Sequence, residues 1–211
     1  MSTPRRALVL VDIQQEYFSG PLEIQYPDPA GSLRKIVAAI DAATVAGVPV
    51  VAVQHTLGES APVFDPTKPG FALHPEVEQR RTPEWKAIVK NVGSAFGGTD
   101  LAEWLTENQL DTITLVGYMT NNCIIATASQ AEFYGISAEV LSDATGAISI
   151  ANEAGSVDAE TVHTTLMTLM NSNFAAVAAT DSWISALREG EALPKDDLVT
   201  SAVSGAEQFS K

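Results

Sequence analysis

Apolar and β-branched residues in this chain gather in short runs, unbroken at Ala7–Val11, and the runs alternate with segments of helical period. Ala7–Val11, Val48–Val53, Ala87–Val89, Thr112–Val116, Ser137–Leu141 and Phe174–Ala179 all have strand length. Runs with no polar alternation are those of parallel strands covered on both faces. Between them, a segment from Ser32 to Ala46 sets Ile36, Val37, Ile40, Ala43 and Val45 on one helical face and stops at Gly47. Further helices are predicted over Leu101–Asn108, opened by Asp100 and Glu103 as a capping box, after Cys123 up to Gly135, over Glu160–Met170 and over Asp181–Leu187. Strand, helix and strand in succession define βαβ units. The expected fold is therefore α/β, a doubly wound parallel sheet between two layers of helices.

Two stretches escape this pattern. Leu57–Pro83 is rich in Gly and Pro without a sustained period, and a loop of that length in a compact domain is usually functional. The tail 191–211 is polar with scattered apolar residues and is read as an oligomerisation arm or a disordered end, leaving 1–190 as a single domain. The 211 residues suffice for one full core.

Composition narrows the function. A formal charge of −14 argues against nucleic acid or an anionic membrane as partner, since both demand a basic surface. The N-terminal apolar run is too short for a secretory signal and is ended by Asp12, and one cysteine forbids an internal disulfide. A cytoplasmic location is expected.

Three chemically capable residues each follow a predicted strand: Asp12, Lys90 and Cys123. In a doubly wound sheet the strand ends share one edge, where ligands bind. Taken singly, Asp12 reads equally as a turn former, Lys90 as a solvated group and Cys123 as a small buried hydrophobe. Taken together they form a working set. The carboxylate takes the thiol proton, the ammonium holds the carboxylate ionised, and sulfur attacks a carbonyl. Cys123 at a strand-to-helix elbow would face unpaired N–H groups and the positive end of the helix dipole, a setting that favours thiolate. Backbone N–H groups of Met119 and Cys123 would form an oxyanion hole, typically worth ~3–4 kcal/mol per donor. His74, before a proline, and His163, inside a helix, read as structural.

The sequences VLVDIQQEYF, a lysine followed by SAF, and GYMTNNCIIATASQA resemble the isochorismatase-like cysteine hydrolases, which include nicotinamidase, N-carbamoylsarcosine amidase and streptothricin hydrolase. The likeness runs to about Leu187. It implies a six-stranded, Rossmann-like isochorismatase fold, with Asp12 as general base, Lys90 as its partner and Cys123 as nucleophile. It also implies a cis peptide at Tyr118–Met119 and a homo-oligomer, dimer or tetramer.

One departure matters. Nicotinamidases carry an Asp-x-His pair after the second strand to bind a metal, whereas here His55 stands in place of the aspartate and Leu57 in place of the histidine. His55 and His74 alone make a poor zinc shell, so no metal and no other cofactor is expected. The expected activity is hydrolysis of a C–N bond in a small amide, lactam, carbamoyl or ureido compound through a thioester. The alternatives are a vinyl-ether hydrolase of the isochorismatase type and a non-catalytic binding module. Phe18, His55, Phe64, Trp85, Phe96, Tyr118 and Asn122 are the candidate substrate-binding residues, an aromatic set suited to a small ligand of low charge.

Overall fold

The computed structural model describes residues 3–210. The first strand, β1 (Arg6–Val11), is buried on both faces, as its apolar run requires. Helix α1 (Pro29–Ala46) begins where Asp28 accepts a hydrogen bond from the Gly31 N–H at 2.7 Å and ends at Gly47. The chain continues through β2 (Val50–His55), the single turn α2 (Pro75–Glu78), β3 (Lys86–Lys90), α3 (Leu101–Glu107) and β4 (Thr112–Tyr118). A π-helical turn over Thr120–Ile124 leads into α4 (Ile125–Ala131) and β5 (Ser137–Gly146). A small hairpin of β6 (Ile150–Asn152) and β7 (Gly155–Val157) precedes α5 (Ala159–Ser172), β8 (Ala176–Ala178), α6 (Thr180–Glu189) and α7 (Leu198–Phe209).

Six of the strands form one parallel sheet in the order β3-β2-β1-β4-β5-β8. The chain builds outward from β1 in one direction and then from β4 in the other, so the switch point lies between β1 and β4, where Val11 pairs with Gly117. Alternation along β1 divides the core. Leu8 and Leu10 pack with Ile36 and Ile40 of α1 and Trp183 of α6. Ala7, Val9 and Val11 pack with Leu101 and Leu105 of α3, Ala128 of α4 and Met167 of α5. At the switch point Gly117 has φ +109°, and a Cβ there would collide with the Val11 carbonyl. Only glycine lets β1 and β4 approach this closely.

A buried ion pair crosses the sheet. The Arg6 guanidinium donates to both oxygens of Glu139 at 2.8–3.1 Å, and Thr114 Oγ1 and Trp183 Nε1 donate to the same carboxylate. These bonds satisfy the acceptor sites of a buried charge, which would otherwise be costly.

Several details differ from the sequence expectation. Asp100 makes no cap bond to α3 because its carboxylate accepts from Lys86 Nζ at 2.7 Å, and Thr99 Oγ1 takes the Leu101 N–H instead. The long loop is tied into the fold by a bridge between Gln14 and Leu73 and by α2, where His74 Nδ1 accepts from the Glu76 N–H at 3.2 Å. The tail carries α7, which leaves Leu198, Val199, Val203 and Phe209 exposed. The hairpin over Ile150–Val157 had no signal in the pattern, since its strands are short and exposed. No helix of the described residues is long and apolar enough to cross a membrane.

Candidate active site

The three strand-end residues meet. Asp12 leaves the C-terminal end of β1, Lys90 is the last residue of β3, and Cys123 lies in the π-helical turn after β4. Lys90 begins two strands away from Asp12, and its side chain reaches across β2 to close the gap. Its Nζ donates to Asp12 Oδ2 at 2.7 Å and to Cys123 Sγ at 3.2 Å. A third contact was not expected: His55, the last residue of β2, places Nδ1 2.9 Å from the same nitrogen. An ammonium has three N–H groups and no lone pair, so His55 Nδ1 is the acceptor and the ring carries its proton on Nε2.

Burial governs the protonation states. The Asp12 and Lys90 side chains are wholly shielded from solvent. Burial pushes the Asp12 carboxyl up to about 6, with the Lys90 charge opposing the rise. Burial, reinforced by the Asp12 carboxylate, pushes the Cys123 thiol up to about 12, against the pull of Lys90. Desolvation and the neighbouring Asp12 carboxylate thus oppose the thiolate that the helix terminus and Lys90 favour. His55 is lowered to about 4 by burial and by the Lys90 charge, so it is neutral in the physiological range.

Asp12 Oδ1 is buried without a partner among the described residues, as is Asn121 Oδ1 in the turn before the cysteine. Asp12 itself has φ +49°, a left-handed conformation tolerated by Asp, held by its N–H to the Val53 carbonyl at 3.0 Å. The Tyr118–Met119 peptide is cis. The Asn122 and Ile124 N–H groups both donate to the Met119 carbonyl, which shapes the turn. Thr127 Oγ1 donates to the Cys123 carbonyl at 2.7 Å and accepts from the Ala95 N–H at 2.9 Å, joining the turn to the loop after β3. His163 is buried and bonded to Thr120 Oγ1 at 2.9 Å, a structural role as expected.

The candidate substrate residues divide. Phe64 is buried with its ring centroid 5.1 Å from that of His55, and Phe18 is half-buried against His74 at 4.4 Å. Asn122 is exposed in the turn that carries Cys123. Tyr118 is a core residue whose hydroxyl bonds Ser32 Oγ at 2.8 Å, under α1. Phe96 is buried and stacks on Tyr134. Trp85 precedes β3, so it stands at the opposite end of that strand from Lys90, about 16 Å away at strand rise. The pattern of aromatics along the chain gave no means of telling these core positions from pocket walls.

Gln14 was missed. It is fully buried, its Oε1 accepts from the His55 N–H at 2.7 Å, and its Nε2 donates to the His55 carbonyl at 3.1 Å and to the Phe71 carbonyl at 2.9 Å. An amide two residues beyond Asp12, at a strand end, was the available signal.

Asp12, His55 and Cys123 also offer metal-ligating atoms within 4.8 Å of one another. Their common centre is taken by Lys90 Nζ, so in this arrangement the cation is the protein's own ammonium.

The six-stranded parallel sheet flanked by helices is an α/β fold of the isochorismatase type. The chain belongs to that family: the isochorismatase domain model matches residues 6–182. It is 31% identical over 180 residues to the isochorismatase family protein YddQ of Bacillus subtilis, covering 84% of this chain and 98% of that one. It is 32% identical over 128 residues to streptothricin hydrolase of Streptomyces noursei, covering 61% of this chain and 49% of the relative. A crystal structure of an isochorismatase-type protein from Burkholderia xenovorans LB400 is 42% identical, covers 100% of both chains and superposes with a TM-score of 0.96.

Proposed function

We propose that this chain is a cysteine-dependent hydrolase that cleaves a C–N bond of a small amide, lactam, carbamoyl or ureido compound. The observation that carries the reading is the position of Lys90 Nζ between Asp12 Oδ2 and Cys123 Sγ, with Asp12 Oδ1 left as an unpartnered buried acceptor. A carboxylate so placed is a base for the thiol proton, and its raised pKa matches it to proton transfer near neutral pH. The partial likeness to streptothricin hydrolase supports a hydrolytic reaction.

In this mechanism Asp12 takes the proton from Cys123 as sulfur bonds to the carbonyl carbon. The carbonyl electrons move to oxygen, where the Met119 and Cys123 N–H groups receive the charge. Collapse of that intermediate breaks the C–N bond, and Asp12 returns its proton to the leaving nitrogen. A thioester remains on Cys123. Water, deprotonated by Asp12, adds to it, and the acid departs as sulfur regains its proton. Lys90 holds Asp12 and the developing thiolate throughout. His55, Phe18, Phe64 and Asn122 are the remaining candidates for substrate contact.

The test is a panel of small primary amides, lactams and carbamoyl amines, with amine or ammonia release measured alongside intact mass after acid quench. An acyl adduct on Cys123 is expected, lost in Cys123→Ala. Hydrolysis of a vinyl ether added to the panel, surviving Cys123→Ala, would instead favour the vinyl-ether chemistry.

A further inference from the structure

The three N–H groups of the buried Lys90 ammonium meet three acceptors of unequal strength. Asp12 is charged and strong, Cys123 sulfur is weak, and His55 Nδ1 lies between them. With one strong and one weak acceptor alone, the ammonium could swivel about its Asp12 contact, and sulfur would be the partner lost. We propose that His55 is a positioning residue: by accepting the third N–H, it fixes the ammonium so that the other two address Asp12 and Cys123 together. The proposal rests on the cysteine-hydrolase reading above and adds to it a residue outside the aspartate, lysine and cysteine set.

His55 is itself held from several sides. Its backbone pairs with that of Lys90 in the β2–β3 register. Its N–H and C=O both engage the Gln14 side chain, so the amide acts as a further rung beside the strand end. Its ring meets Phe64 edge-on at 5.1 Å. Phe64 has φ +55°, unusual for an aromatic residue, and is fixed there by its neighbours. The Phe64 carbonyl accepts from Thr56 Oγ1 and the Leu57 N–H, and the adjoining buried Asp65 accepts from the Ser60 and Thr67 N–H groups. The loop after β2 is thus built to hold one imidazole.

The residue type follows from charge. A carboxylate in this place would compete with Asp12 for Lys90 and add a second negative charge beside the nucleophile. Imidazole accepts a hydrogen bond while contributing no charge, and its depressed pKa keeps the Nδ1 lone pair available. The Lys90 charge is then left for Asp12 and for the thiolate as it forms.

The experiment measures the second-order rate of Cys123 alkylation by iodoacetamide, with thermal midpoints, in the wild type and in His55→Leu, His55→Asn and His55→Gln. Asn has the size of Leu but keeps an acceptor on the same branch as Nδ1, while Gln carries its amide one methylene further. His55→Leu and His55→Gln are expected to react on the order of 10- to 100-fold more slowly, as for a buried charged donor left without an acceptor, and His55→Asn within about threefold of wild type. Equal rates in all variants, or His55→Asn as slow as His55→Leu, would overturn the assignment. Should His55→Leu fail to fold, the comparison of Asn with Gln decides. Asp12→Asn is measured in parallel: an unchanged rate there brings down the hydrolase reading, while the order of the His55 variants still reports on the positioning of Lys90.

Discussion

Lys90 Nζ lies 2.7 Å from Asp12 Oδ2 with both side chains wholly buried, and the second Asp12 oxygen has no hydrogen-bond partner among the described residues. One oxygen is held by the cation and the other is left as an open acceptor. This division lets a single carboxylate be fixed in place and still accept a proton.

The first prediction is a pH profile. Burial raises Asp12 from its ordinary value of 3.8 to about 6, so the basic form fills only as pH rises through 6. Alkylation of Cys123 should fall about tenfold per unit below that point, because the protonated carboxyl cannot accept the thiol proton. Asp12→Asn should remove the step and lower the rate above pH 7 by about 100-fold or more, a typical contribution of a general base. A profile governed by a free thiol in both proteins would contradict the division of roles.

Removing Lys90 should cost stability as well as rate. Lys90→Ala leaves the Asp12 carboxylate buried without its counter-ion, and breaking such a pair typically costs about 3–5 kcal/mol. Since a carboxyl raised in pKa sheds this cost by taking up a proton, the loss should be larger at pH 8 than at pH 5. Denaturant titration at the two pH values checks the sign.

The same variant should acquire affinity for zinc. With the ammonium gone, the Asp12, His55 and Cys123 donors, within 4.8 Å of one another, converge on an empty centre with mixed S, N and O ligands. Titration calorimetry should detect one Zn2+ per chain in Lys90→Ala and much weaker binding in the wild type. Equal binding by both would show that Lys90 does not guard the cage.

Glu139 provides a stability test away from the chemistry. Glu139→Ala leaves the buried Arg6 guanidinium without its counter-ion, with only the Glu191 carbonyl still accepting from it, and removes the acceptor of Thr114 Oγ1; it should cost about 3–5 kcal/mol. For a chain of this size that is a fall in thermal midpoint of roughly 6–20 °C. Cys123 reactivity in the surviving folded protein should match the wild type, because Glu139 pairs with β8 at its Ala176 end, toward the start of the strands.

Gly117→Ala tests the switch point. A methyl group directed at the Val11 carbonyl, on a residue at φ +109°, should force β1 from β4 and displace Asp12 from Cys123. Loss of soluble protein, or folded protein with slow alkylation, is expected; wild-type behaviour in both respects would refute the close-approach argument.

Much of the frame was legible because burial on both faces writes itself into sequence as unbroken apolar runs. Ala7–Val11 and Thr112–Val116 lie inside β1 and β4, and the residues after the strands, Asp12 and Cys123, meet at the sheet edge with Lys90. Exposed or short elements left no such trace: the hairpin over Ile150–Val157 has neither an apolar face nor sufficient length. Within the strand predicted at Ser137–Leu141 nothing marked Glu139 as half of a buried ion pair, because its partner Arg6 is 133 positions away.

The amino-acid order by itself determined the layered fold and placed the aspartate, lysine and cysteine at one sheet edge, since each depends on local periodicity or on position relative to a strand end. Tertiary structure alone decided that His55 makes the third contact of Lys90, that Gln14 holds His55, that Tyr118 and Phe96 are buried in the core clusters, and that burial opposes the thiolate at Cys123. These depend on distances between groups remote in sequence and on how much water is excluded around them, and both are set only when the β1, β2, β3 and β4 ends are packed together.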